Sequence, residues 1–203
     1  MSDEYRTIQE EVQVESKVRG SKFIASASPS ITRTEAEEFI AQRRKQYHDA
    51  THNCFAYRCS TDGSQYRFND DGEPSGSAGK PILAAIDKFG LTYLVVVVTR
   101  YFGGTKLGLG GLIRAYGGAA ESALASSKRI TKYVFDSFRI SFPHAYISNV
   151  MRVTSTCNGR IVDTTYDEEV HLVLETRKSK SEELRTLLVN CTNGDARIKE
   201  LLG

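Results

Sequence analysis

The chain has no long apolar run. Its longest purely aliphatic stretch is Leu94 to Val98, far short of the roughly 20 residues a helix needs to cross a bilayer. The start, Met-Ser-Asp-Glu-Tyr-Arg, has neither the basic nor the apolar region of a signal peptide, so a cytoplasmic protein without a membrane partner is expected. Cysteine is sparse, and Cys54, Cys59, Cys157 and Cys191 form neither a CxxC pair nor a disulfide framework, which fits a reducing compartment. HExxH and CxxC are both missing, so no zinc site is supplied. There is no GxSxG elbow. Net charge is nearly absent too: 27 basic residues stand against 25 acidic ones, so the molecule as a whole is not a basic coat for nucleic acid. These absences leave no catalytic residue that can be named.

What is there is unevenly placed. The 203 residues, 40% hydrophobic and 26% charged, suffice for a soluble protein of two small domains, each with a core. From Thr99 to Lys132 the ionisable residues are Arg100, Lys106, Arg114, Glu121, Lys128, Arg129 and Lys132, six positive and one negative. Within Thr99 to Gly118, seven glycines alternate with Arg100, Lys106, Arg114 and the rings of Tyr101, Phe102 and Tyr116. Glycine lets backbone approach a ligand closely, guanidinium and ammonium groups favour phosphate, and flat rings offer stacking faces for bases.

Periodicity divides the chain into two halves. In the first, Val12–Val18 and Lys22–Ser28 read as a hairpin over Arg19-Gly20, and Thr32 with Glu35 as a capping box that opens a helix to about Arg44. Strands are expected at Cys54–Cys59, Tyr66–Asn69 and Tyr93–Val98, a helix from Pro81 to Gly90 and another from near Leu112. On that last helix Arg114 falls opposite the apolar stripe and should point outward. The second half gives strand, helix, hairpin, helix and strand over 138–202, with Ser179 opening the second helix; β-α-β-β-α-β is the ferredoxin-like order. The fold class is therefore α+β, with domains at 1–132 and 133–203.

Two motifs, DDGEPSGSAGKPIL (Asp70 to Leu83) and TRYFGGTKLGLGGLIRAY (Thr99 to Tyr116), resemble the paired signatures of the IMPACT family, in its bacterial, YigZ-like branch. His52-Asn53-Cys54 followed by Ala56-Tyr57-Arg58 is similar to that family's first strand motif. The resemblance implies an N-terminal βαβ domain of the type shared by a small-subunit ribosomal protein, translocase domain IV and the GHMP kinases. It also implies a C-terminal domain similar to translocase domain V. For function it implies an association with translation, through nucleic acid in bacterial members and through a protein partner in eukaryotic ones. With no long extra N-terminal interaction domain in view, the bacterial type is expected.

Two loops carry the candidate chemistry. Ser75, Ser77 and Lys80 lie just before the helix at Pro81, and Gly103, Gly104, Lys106 and Gly108 before the one near Leu112. A helix start has free N–H groups and a positive dipole end, so each could hold a phosphate, and side by side they would form one basic cleft with Arg100, Tyr101, Phe102 and Arg114. SGSAGKP is not a nucleotide P-loop, because Pro81 stands where a magnesium-ligating hydroxyl is required. Asp70, Asp71 and Glu73 are either a magnesium site, with phosphate oxygens completing the shell, or an acidic turn. His52 and Cys54 share one face of a strand. The leading expectation is a non-enzymatic regulator that binds RNA or the ribosome through the basic cleft. The alternatives are an enzyme acting on a phosphorylated substrate with magnesium, and a protein–protein adaptor.

Overall fold

The computed structural model describes residues 3–201, which divide into two units: Tyr5–Lys132, and Asp3 and Glu4 together with residues 133–201. In the first unit β2 (Val12–Val18) and β3 (Ser21–Pro29) form the expected hairpin, with φ of 45° at Arg19 and 84° at Gly20. Two left-handed residues give the turn a twist that matches the strands. Helix α1 (Arg33–Gln46) starts at the expected cap: the Thr32 hydroxyl accepts from the Glu35 N–H at 3.2 Å, and the Glu35 carboxylate reaches back to accept from the N–H of Ile31, one residue before the cap, at 2.8 Å.

Strands β4 (His52–Arg58), β5 (Tyr66–Asn69) and β6 (Leu94–Tyr101) complete an antiparallel sheet of order β2-β3-β6-β4-β5. Leu94, Val96 and Val98 face a core shared with α2 (Gly79–Lys88) and α3 (Leu109–Ser126), whereas Val95 and Val97 face Ala36, Phe39 and Ile40 of α1. Burial on both faces explains the unbroken β-branched run. The strand does not stop at Val98, as the sequence suggested. Arg100 and Tyr101 stay in the ladder because β3 and β4 lie alongside, with His52 and Phe23 both opposite Arg100. Alternation along the strand then turns Arg100 to the α2–α3 side, after Val98. Helix α2 likewise begins two residues before Pro81, whose missing N–H falls harmlessly in the first turn. Two short strands that the sequence reading missed, β1 (Glu4–Ile8) and β7 (Arg129–Tyr133), pair as a separate ladder.

The second unit has the expected ferredoxin-like order. Strands β8 (Phe135–Phe142), β9 (Arg160–Tyr166), β10 (Val170–Arg177) and β11 (Arg197–Leu201) lie as β11-β8-β10-β9, with α4 (Ile147–Thr156) and α5 (Ser181–Cys191) between them in sequence. Phe138, Ile140, Phe142, Leu172 and Leu174 pack on Val150, Leu184 and Leu188. Ser179 does not cap α5; residues Lys178–Lys180 make a 3₁₀ turn, and the Ser179 hydroxyl donates to Asp3 at 2.6 Å. Asp3 is buried and also accepts from Arg177 Nη2 at 2.7 Å and Nε at 3.1 Å, which is why the first described residues join this unit.

These donors, Arg177 first and then Ser179, hold the Asp3 carboxyl well below the usual carboxylate range. A depressed folded-state pKa contributes stability that is present above the unfolded value and is lost as pH falls through the folded one. In thermal melts from neutral pH downward, the stability gap between the natural protein and Asp3→Asn is therefore largest at neutral pH and narrows below about pH 4.

Candidate functional site

Glu73 is the residue on which the two signature loops meet. Its Oε1 accepts from Arg100 Nη1 at 2.5 Å and from the Tyr116 hydroxyl at 2.8 Å, with His52 Nε2 at 3.8 Å. Both charged side chains are almost wholly buried, at 6% exposed for Arg100 and 4% for Glu73. Arg100 Nη2 also reaches Ser21 Oγ at 3.3 Å, while its Nε finds no partner among the described residues. Arg100 was expected to meet phosphate; the structure instead uses its charge to neutralise Glu73. Tyr116, expected to offer a stacking face, is fully buried edge-on to Phe23.

The acidic loop is a framework, and its three carboxylates diverge. Asp70 accepts from the backbone N–H groups of Gly76, Ala78 and Gly79 at 2.8 to 2.9 Å, so an internal anion already occupies the start of α2. Asp71 takes Arg44 at 2.6 Å and the Asn53 N–H at 2.7 Å. With Glu73 on Arg100, each carboxylate has its own donor, and among the described residues no three His, Cys, Asp or Glu side chains are grouped to hold a metal ion. Of the two readings of Asp70, Asp71 and Glu73, a magnesium site or an acidic turn, the arrangement is that of a turn whose side chains pair with neighbouring donors. His52 and Cys54 do share a strand face, and both bind this loop. His52 Nδ1 lies 2.7 Å from the Asp71 carbonyl, and Cys54 Sγ 3.0 Å from the Asp70 carbonyl. Burial pushes the Cys54 thiol up to about 12, so it is no nucleophile near neutral pH.

The start of α3 is built differently. Gly108, with φ 70°, precedes it without a side-chain cap, and its first turn holds no acidic residue. The Leu112 N–H bonds back to the Gly108 carbonyl, but among the described residues no acceptor meets the N–H groups of Leu109, Gly110 and Gly111. Beside them opens a cleft of about 250 Å³, walled by Pro74, Phe102, Leu107, Leu109 and Leu112, with Glu73 and Arg100 at its base and Lys106 on its rim. The two signature loops thus converge, the second through Arg100, Phe102, Lys106 and Gly108 from the expected set, the first through residues that were not expected to line it. Glu73 and Pro74 line the cleft; Ser75, Ser77 and Lys80 do not. Ser77 is buried with an unpartnered hydroxyl, while Ser75 and Lys80 are exposed. Tyr101 donates its hydroxyl to Asp49 at 2.8 Å, and Phe102 remains half exposed. Lys106 and Arg114 are exposed and make no ion pair among the described residues, and Gly104 is left-handed, with φ 84°.

Sequence reasoning missed Arg19. With Arg114 it flanks a second hollow of about 300 Å³ over Val18, Leu107 and Ala115. The signal available was the Arg-Gly turn itself, which was read only as a hairpin corner. That turn packs against the glycine loop so closely that a Cβ on Gly103 would lie 1.9 Å from the Gly20 carbonyl carbon.

A two-unit α+β protein whose first unit sets its two glycine-rich loops at two neighbouring helix starts is the class this geometry defines. The chain belongs to the IMPACT family: the Impact N-terminal domain matches residues 19–124, and a domain of unknown function, DUF1949, matches residues 140–195. It is 34% identical to IMPACT family member YvyE of Bacillus subtilis over 200 residues, 98% of this chain and 92% of that one. It is 30% identical to YigZ of Escherichia coli over 189 residues, covering 92% and 93%. A crystal structure titled only as that of an hypothetical protein superposes with a TM-score of 0.74 at 28% identity, over 100% of this chain and 99% of that one. Among the described residues no helix is long and apolar enough to cross a membrane.

Two substitutions test the framework by thermal melting. Asp70→Ala strands three N–H groups at the start of α2 and is expected to cost about 3 kcal/mol. Gly103→Ala forces backbone against backbone and is expected to cost at least as much, whereas Gly118→Ala, with open space around it in α3, should gain about 0.5–1 kcal/mol.

Proposed function

We propose that this protein is a non-catalytic, cytoplasmic RNA-binding factor that acts in translation, and that its RNA site is the surface at the start of α3. The observation that carries this reading is the contrast between two neighbouring helix starts. Asp70 fills the one at α2, while the one at α3 has free N–H groups and no acidic residue in its first turn. Free N–H groups at a positive dipole end favour a phosphate. Lys106 and Arg114 stand nearby with unpaired charge, and the half-exposed ring of Phe102 offers a face for a base. Arg100 contributes indirectly, by cancelling the charge of Glu73 beneath the cleft. The role in translation comes from the family resemblance, and the RNA partner is one that the translation machinery would supply.

A second reading, a protein partner, draws on Leu109 and Ile113. They lie one turn apart on α3 and are 56% and 41% exposed. Copurification before and after nuclease treatment separates the two, because a partner that persists without RNA favours the adaptor.

Binding of a single-stranded RNA should weaken steeply with salt, in proportion to the phosphates engaged. Lys106→Ala and Arg114→Ala should each flatten the slope of log affinity against log salt by about 0.7 and leave the melting temperature unchanged. Fluorescence anisotropy across a salt series measures this, and a salt-independent signal, or none, contradicts the proposal.

A further inference from the structure

We infer that the cleft distinguishes RNA from DNA: it takes one unpaired ribonucleotide, and Glu73 Oε2 accepts a hydrogen bond from its 2′-hydroxyl. This rests on the RNA-binding reading above and assigns a selectivity to the same site.

The starting point is an asymmetry within one carboxylate. Oε1 of Glu73 receives Arg100 and Tyr116, with His52 close by, while Oε2 has no donor among the described residues. The side chain is only 4% exposed, and it lines the cleft. Oε2 therefore presents an acceptor to the cleft, and a ligand there can donate to it. The other walls state what else that ligand carries. Pro74, Phe102, Leu107 and Leu112 offer apolar and aromatic surface suited to the face of a base. Lys106 and the free N–H groups of the first turn of α3 suit one phosphate. The volume, about 250 Å³, admits a single nucleotide unit and not a stacked pair.

A ribonucleotide offers all three: an apolar face, an anion and a hydrogen-bond donor. Its 2′-hydroxyl is the donor common to every RNA base and lacking in DNA. The paired charge of Arg100 keeps Glu73 from repelling the neighbouring phosphate. A deoxynucleotide seated there would shield Oε2 from water without donating to it, and the discrimination follows from that lost hydrogen bond.

Three fluorescein-labelled 12-mers of equal charge, oligouridine, oligodeoxyuridine and 2′-O-methyl oligouridine, test this by anisotropy on the full chain at one fixed ionic strength. The expected result is that oligouridine binds about tenfold tighter than either of the others. Glu73→Gln, with folding checked by its melting curve, should bring the three within about threefold. Equal binding of oligouridine and oligodeoxyuridine overturns the inference and leaves the polyanion site standing. Equal binding of oligouridine and its 2′-O-methyl form also overturns it, because shape and not donation would then be read. A preference that survives in Glu73→Gln removes Glu73 from the account, and failure of all three to bind ends both readings. Should the variant not fold, the three oligomers on the natural protein decide alone.

Discussion

The guanidinium of Arg100 and the carboxylate of Glu73 meet 2.5 Å apart inside the first unit, where both are nearly sealed from water. That contact joins the end of β6 to the loop before α2, and Tyr116 adds the middle of α3 through the same oxygen. A buried pair of this kind contributes little net stability compared with an apolar packing of the same volume, but losing one partner leaves a stranded charge at a cost of about 3–5 kcal/mol. Its value lies in specification. Three segments far apart in sequence are held at fixed positions around one cleft, and a cation that would otherwise face solvent is turned inward. The cationic character of the surface then rests on Lys106, Arg114 and Arg19.

Two helix starts a short distance apart in sequence illustrate how a motif can carry one chemistry in appearance and another in fact. Both follow glycine-rich loops with a lysine nearby. At α2, the acidic loop folds back and Asp70 supplies the anion from within the chain, so this turn is complete without a ligand. At α3 the loop instead runs from β6 through Gly103, pinned against Gly20, and reaches the helix with no side chain to cap it. Open N–H groups at a helix end must be satisfied by water or by a ligand, and the apolar walls beside them favour a ligand that brings its own hydrophobic face.

Much of this was legible beforehand. The capping box at Thr32 and Glu35, the doubly covered run in β6 and the ferredoxin-like order of the second unit all follow from local pattern, because each depends on residues a few positions apart. The orientation of Arg100 did not follow. It depends on β3 and β4 extending the ladder past Val98, which is a long-range pairing, and a charged residue next to a glycine-rich segment reads as loop. The acidic triplet was open to two readings from sequence, a magnesium site or an acidic turn, and the fold supplies the partners: a helix start, an arginine of α1 and an arginine of β6 each claim one carboxylate. Arg114 pointed outward as its place on the helical wheel required. Arg19 went unnoticed because hairpin-turn chemistry gave it a sufficient explanation.

The central claim is that the start of α3, and not the start of α2, receives a ligand anion. Amide chemical shifts of the full chain, followed as a short oligouridine is added, test it most directly. The account predicts that the Leu109, Gly110, Gly111 and Phe102 amides move together and saturate, while those of Gly76, Ala78 and Gly79 stay in place because Asp70 already holds them. Shifts centred on Gly76 to Gly79, or confined to residues beyond Tyr133, would contradict it.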